Sequence, residues 1–263
     1  MSDDLGVWAY AITEDDGGAD LSSLTGVDGA KVRAVRAADL IAVVSEVDLA
    51  EFGEVPLRRN LEDLGWLETV ARAHHSVIDA ASRLFPLLPT RLATVYSNDE
   101  SMAAALGPRR EELLAALRRV GGRVEWGVKA YAVAEAEPDG PAESADAGGR
   151  GAGLAYLKRR RAQLSARSEA WRSAVAAARA VHAHLSRHAV LTRLHPPQSP
   201  QLSGNQRAMM LNSAYLLDAN DGTAFAGHVA AAADAHPELE LDLTGPWPPY
   251  SFTADDAVAG QDG

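Results

Sequence analysis

Apolar residues recur along the chain with two different periods, and the switches between them divide it into elements. Residues 5–12, LGVWAYAI, form an apolar run that predicts a strand, followed by an acidic, glycine-rich turn at 15–20. KVRAVRA and the nearly all-apolar stretch 39–47 predict a hairpin whose second strand lies centrally in its sheet. From Leu57 the period lengthens. Leu57, Leu61, Leu64, Leu67, Ala71, His74, Ile78 and Ala81 recur at three and four, the spacing of one helix face, and Pro86 stops the pattern. PLLPTRLATVY predicts a further strand. Ser97 with Glu100 has the pattern of a capping box, in which hydroxyl and carboxylate satisfy orphan amides at a helix start. Leu106, Leu113, Leu117 and Val120 give that helix its buried face, Gly107 and Pro108 interrupt its first turns, and Gly121 with Gly122 ends it.

The second half begins with RVEWGVKAYAVAE, whose Val124, Trp126, Val128, Ala130 and Ala132 share one face of a strand. Residues 135–153 show no apolar periodicity and predict a flexible insertion. A long helix over 154–187 follows, with Leu157, Leu164, Trp171, Ala178 and Leu185 seven apart. Its companion seam, Leu154, Arg161, Ser168, Val175 and His182, is too polar for a dimeric zipper, so the helix is expected to pack along one stripe and project in part. Strand (188–194), proline-rich loop, strand (207–217), helix (223–236) and strand (239–244) complete a β-α-β-β-α-β order, that of a ferredoxin-like domain. The expected fold class is α+β in two domains: an α+β N-terminal domain over 1–121, matching no named topology, and a ferredoxin-like C-terminal domain over 122–252. Residues 253–263 read as a disordered acidic tail.

The chain's most rigid and aromatic stretch, LTGPWPPYSF, comes last. Pro246, Pro248 and Pro249 donate no amide hydrogens, so the stretch is expected to leave the sheet after Thr244 as a stiff extended arm. Such an arm loses little entropy when Trp247, Tyr250 and Phe252 dock. It suits latching onto its own domain or presenting aromatics to a partner. In the latch reading, a well-buried Trp247 would contribute about 3–5 kcal/mol.

Charge and composition then narrow the function. Cysteine is absent, which removes disulfides, thiolate catalysis and Cys-ligated metals. No run of 18 apolar residues exists and the first residues are acidic, so the expectation is a soluble cytoplasmic protein that does not enter a membrane. The net charge of −11 argues against nucleic-acid binding, yet it conceals local balances of −12 (1–149), +10 (150–207) and −9 (208–263). Within the basic segment, Lys158, Arg159, Arg160 and Arg161 read as a solvated or protein-facing helix surface, since the aromatic strand of an RNA-binding sheet is missing. His75 and Asp79, at i and i+4, have the spacing to share a metal, but no third ligand accompanies them. The preferred reading puts His74 on the buried stripe and His75 with Asp79 in an exposed local pair. Glu125 and Lys129 read as a surface ion pair, and Trp66 and Trp171 as core or interface. No nucleotide loop, nucleophile elbow or metalloprotease motif occurs. Catalytic residues, cofactor and metal are therefore not expected, with a metal-dependent enzyme using His74, His75 and Asp79, or an RNA-binding protein, as the alternatives.

Five stretches in this order and spacing, LGWLETVARAHHSVIDAA, LPTRLATVYSNDES, VEWGVKAYAV, MMLNSAYLL and LTGPWPPYSF, resemble the gas vesicle protein F/L family over nearly the whole chain. One departure is visible: the family commonly reads R-F-G-T-V-F where this chain has Arg91, Leu92, Ala93, Thr94, Val95 and Tyr96. The resemblance implies an accessory protein of gas vesicle assembly without enzymatic activity. It implies an α+β N-terminal domain that meets the small, hydrophobic major shell protein, a modified ferredoxin-like C-terminal domain with an extended helix, and other accessory proteins as partners. F-type and L-type membership both remain open. Candidate structural or partner-binding residues are Trp126, Trp247, Pro248, Pro249, Tyr250, Phe252 and Lys158 to Arg161.

Overall fold

The computed structural model describes residues 4–15, 20–133, 150–198 and 207–253. The acidic turn at 16–19, the expected insertion up to residue 149, much of the proline-rich loop and the acidic tail from 254 lie outside the described residues. The chain forms two compact units, one made of residues up to Glu125 and again from Pro246, the other of Trp126–Gly245.

In the first unit, strands β1 (Leu5–Glu14), β2 (Arg33–Ala37), β3 (Leu40–Asp48), β4 (Leu88–Pro89) and β5 (Val95–Tyr96) make one sheet in the order β2-β3-β1-β4, with β5 also paired to β1. The apolar run of β3 has the central place its composition predicts, antiparallel to β1 on one side and β2 on the other. The β1–β3 register slips between Ala9 and Ala11. Tyr10 is thereby an extra residue in β1, a bulge. Its carbonyl accepts the Thr90 amide at 2.8 Å, and its hydroxyl lies 2.7 Å from both Ser45 Oγ and the Val27 amide.

The stretch expected as one strand, PLLPTRLATVY, is instead the two short strands β4 and β5 joined by a turn in which Ala93 has φ 66°. That left-handed geometry is costly for a residue with a Cβ, by roughly 1–2 kcal/mol, and it falls where the family pattern carries glycine. Ala93→Gly should therefore raise stability by about 0.5–1 kcal/mol after the added freedom of the unfolded chain and the lost methyl are offset. A higher urea midpoint at unchanged slope would show it; a lower midpoint would refute the strain.

Among the described residues, the helices α1 (Leu49–Phe52), α2 (Glu54–Asn60), α3 (Leu64–Ser82), α4 (Asp99–Leu106) and α5 (Arg110–Val120) accompany the sheet. The apolar period from Leu57 predicted one helix, but the chain breaks after Asn60. Asp63 accepts the amides of Gly65 and Trp66 and starts α3 afresh. Leu64 is consequently exposed, and the buried face of α3 is Val70, His74, Val77, Ile78 and Ala81. The capping box of α4 lies one residue later than expected: Asn98, not Ser97, caps the helix, and Ser101 reciprocates. A 3-10 turn at Gly107–Arg109 separates α4 from α5, as the Gly-Pro pair predicted. Trp8, Tyr10, Val43, Phe52, Val77 and Ile78 belong to the core of this unit.

The second unit is built on the sheet β7-β8-β6-β9, from β6 (Arg123–Ala132), β7 (Leu191–Leu194), β8 (Met209–Asp218) and β9 (Leu239–Trp247), with β7 and β8 antiparallel. Helices α6 (Arg150–Ser186) and α7 (Gly222–Ala235) complete the described elements, in the order β6-α6-β7-β8-α7-β9. The last four residues of the expected insertion, 150–153, are thus helix and not linker. Ala174, Ala177, Ala178, Val181 and Leu185 of α6, with Phe225, Val229 and Ala232 of α7, are buried together with Val128, Ala130, Leu211 and Tyr215 of the sheet. Gly222 opens α7 against Trp126, where a Cβ would come 2.8 Å from the indole Cζ2.

The strand expected to stop at Thr244 continues through Pro246 to Trp247. It lies at the edge of its sheet, where a residue without an amide hydrogen is tolerated, and Gly245 takes φ 131° just before the proline. The arm is therefore a strand extension followed by a 3-10 turn at Tyr250–Phe252, not a free extended rod.

Candidate interaction surfaces

The C-terminal arm is held within the first unit by a small polar cluster. Pro248, Pro249 and Phe252 are buried, while Trp247 remains 42% exposed. The Tyr250 hydroxyl lies 2.9 Å from His75 Nδ1, with the two rings stacked at 6.0 Å, and Trp247 meets the same imidazole edge-on at 5.6 Å. Burial, then the nearby Asp79 and Glu125 carboxylates, push the Tyr250 phenol well above its usual range. It stays neutral and able to donate to His75. Ser251 donates its amide to Glu125 Oε2 and its hydroxyl to Oε1, each at 2.7 Å. Both carboxylate oxygens are thus engaged by one residue.

These contacts revise several sequence expectations. Glu125 is 8% exposed, so it is a buried acceptor for the arm and not half of a surface pair with Lys129. His75 is half-buried against Tyr250 and Asp79 pairs with Arg83 at 2.6 Å, so the two side chains have separate partners. Trp247 is too exposed to carry the latch energy assigned to it; Phe252 is the buried aromatic. Trp66 lies partly buried at the core edge, 5.6 Å from the Phe52 ring, and donates to Glu51 at 2.8 Å.

His74 sits in the core as the helix stripe required. Trp8 Nε1 donates to its Nδ1 at 3.0 Å, which leaves Nε2 to carry the proton toward the Thr90 carbonyl at 3.4 Å. Burial drives its pKa down to about 4, the Thr90 bond opposes this, and His75 adds to the depression. The ring is a neutral structural bridge.

A shallow cleft of about 480 Å³ is lined by Leu5, Gly6, Val7, Arg33, Glu46, Asn98, Asp99 and Glu100. Its guanidinium is held by Asp99 at 2.8 Å in a two-pronged pair, so the cleft offers paired charges and no nucleophile-base couple.

In the second unit, Lys158, Arg159, Arg160 and Arg161 are exposed on α6, where Leu157, Leu164 and Trp171 are also exposed. Only Ala178 and Leu185 of the seven-residue series are buried. Between Leu157 and Trp171 the long helix thus presents both basic and apolar side chains to solvent. Trp126 is half-buried against the second core, its indole nitrogen unpartnered among the described residues. His182 Nδ1 lies 2.9 Å from the Tyr215 hydroxyl, whose pKa burial raises to about 12.

A cluster that the sequence reading missed joins His184, His188 and His228. The first two are at i and i+4, a visible signal; His228 comes from another helix and only folding adds it. Among the described residues, no helix is long and apolar enough to cross a membrane.

Comparison with known proteins agrees in one direction. The family model for "Gas vesicle synthesis protein GvpL/GvpF" matches residues 6–254. Gas vesicle protein L of Streptomyces sp. (strain CB03234) is 40% identical over 252 residues, 96% of this chain and 94% of that protein. Gas vesicle protein F of the same strain is 28% identical over 201 residues, 73% of this chain and 80% of that protein. The crystal structure of GvpF from Anabaena sp. PCC7120 has a TM-score of 0.64 at 20% identity, covering 94% of this chain and 95% of that one. GvpF from Microcystis aeruginosa gives 0.63 at 17%, covering 94% and 98%. At these identities the two crystal structures speak to the fold, a mixed α+β architecture with two antiparallel sheets.

Proposed function

The chain belongs to the gas vesicle GvpL/GvpF family, and from that premise we propose that it is an accessory protein of gas vesicle assembly. It carries out no chemistry and offers a folded docking surface to the hydrophobic major shell protein and to other gas vesicle proteins. The observation that carries this reading is the family match over residues 6–254. The higher identity to the L relative than to the F relative of one strain favours an L-type role. The absence of an enzymatic task is supported by how the polar groups of the first unit are used. His74 bonds to Trp8, His75 to Tyr250, Asp79 to Arg83 and Glu125 to Ser251, all serving the fold.

The first unit is the proposed site for the shell protein. It exposes Val55, Leu64 and Leu84 on or beside its helices. Such residues can shield a subunit whose bare apolar surface would otherwise self-associate. The basic α6, with Leu157, Leu164 and Trp171, is proposed to meet other, acidic members of the assembly, since opposite potentials steer encounter and fix orientation. The protein then works in the cytoplasm at the growing vesicle.

Co-expression of the full chain with a tagged shell protein tests this. Val55→Glu, Leu64→Glu and Leu84→Glu combined should reduce co-purification at least tenfold, while Leu157→Glu with Leu164→Glu should leave it intact. The reverse pattern would move the shell contact to the second unit. Buoyant cells after deletion of the gene would end the assembly role.

A further inference from the structure

Three imidazoles of the second unit have no part in that docking role. His184 lies in the last turn of α6, His188 two residues beyond its end, and His228 in the middle of α7. Each offers one ring nitrogen within 4.8 Å of the others. The ring centres are 5.1 Å (His184 to His188), 5.7 Å (His184 to His228) and 3.6 Å (His188 to His228) apart. The backbones of His184 and His228 are fixed by the core, because Leu185 follows His184 and Val229 follows His228, and both neighbours are buried.

We propose that His184, His188 and His228 form a binding site for a borderline divalent transition-metal cation of the zinc class. The donor set argues for this chemistry. Three imidazoles suit zinc, nickel or copper, whereas magnesium and calcium take oxygen donors. Zinc–nitrogen bonds of about 2.0–2.1 Å in a tetrahedral site set ligand nitrogens roughly 3.4 Å apart. Closing from the observed spacing takes side-chain rotation of about 1 Å, and His188, being exposed, is free to supply it. The face-to-face pair of His188 and His228, inclined at 14°, turns so that one nitrogen of each converges on the ion.

Arg187 sets the condition for entry. Its Nη2 lies 2.9 Å from His184 Nδ1, and a guanidinium only donates, so Nδ1 accepts and Nε2 carries the proton. An ion takes Nδ1 by displacing Arg187, or takes Nε2 after the proton moves to Nδ1. Either route returns an exposed cation to solvent, and loss of an exposed contact costs little. Once bound, the ion ties the C-terminal end of α6 to α7 and leaves a fourth coordination position to solvent.

Equilibrium dialysis of the untagged full chain against zinc ion alone tests the site. One ion per chain is expected, with a dissociation constant in the micromolar range or tighter. His188→Ala and His228→Gln should each weaken it at least tenfold, and His236→Ala, outside the cluster, should not. Cobalt should give the intense visible bands of a tetrahedral nitrogen site in the wild type and lose them in His188→Ala. Because His188 is exposed, this variant keeps the fold, which an unchanged circular dichroism spectrum verifies. Millimolar binding, or tight binding that both cluster variants retain, would overturn the proposal.

Discussion

Phe252→Ala should destabilise the first unit by about 3–5 kcal/mol, the usual cost of truncating a buried phenylalanine. Trp247→Ala should cost less than about 1 kcal/mol, the range of substitutions at exposed positions. The contrast rests on burial: Phe252 is 7% exposed and Trp247 is 42% exposed, although the two belong to one short arm. Size alone would rank them the other way. The indole edge touches His75, but much of its surface is already in water. Phe252 lies three residues past the buried Pro248–Pro249 pair, next to the Ser251 clamp on Glu125, so removing its ring leaves a cavity between segments held in place on both sides. Urea denaturation of the full chain, followed by tryptophan fluorescence and circular dichroism together, measures both variants. Equal, small losses would mean that the arm contributes little. A larger loss for Trp247→Ala would restore the indole as the anchor.

Acid should weaken the same unit before general acid denaturation. With His74 held near pKa 4 when folded and about 6.5 when unfolded, the unfolded chain takes up a proton first as pH falls. The sign follows directly. Stability attributable to the neutral ring is complete above pH 6.5, declines between about 6.5 and 4, and is lost below that. The loss reaches about 2 kcal/mol by pH 5 and about 3 kcal/mol in full. His74→Gln keeps an acceptor for Trp8 Nε1 and a donor for the Thr90 carbonyl without titrating in this window. Its unfolding free energy should therefore be flatter from pH 7 to 5 than that of the wild type. Parallel curves would assign the acid sensitivity elsewhere.

How much of this was visible beforehand depends on whether the signal was local. The strands β1 and β3 declare themselves as nearly continuous apolar runs, since both of their faces are buried, and β6 and the helix α5 by period, because burial of one face repeats along the sequence itself. The break before α3 did not, since Leu61, Leu64 and Leu67 keep the helical spacing while Asp63 caps a new helix among them. Apolar period reports where a helix is permitted; the cap decides where it starts. Glu125 was misread for a related reason. Strand alternation placed it on the face opposite Trp126 but said nothing of Ser251, 126 positions away, which buries it. His75 likewise gains Tyr250 from 175 positions off. The family resemblance, carried by short stretches spread over the chain, survived these errors because it depended on residue identity and spacing, not on which faces are buried.

The first unit is interrupted: its two pieces, ending at Glu125 and resuming at Pro246, bracket the whole second unit. A ribosome must therefore deliver Phe252 before the pocket around His75 and Glu125 can seal. Premature termination anywhere within the inserted unit leaves those groups without Tyr250 and Ser251. Completion of the chain is thereby coupled to maturity of its earliest-made part.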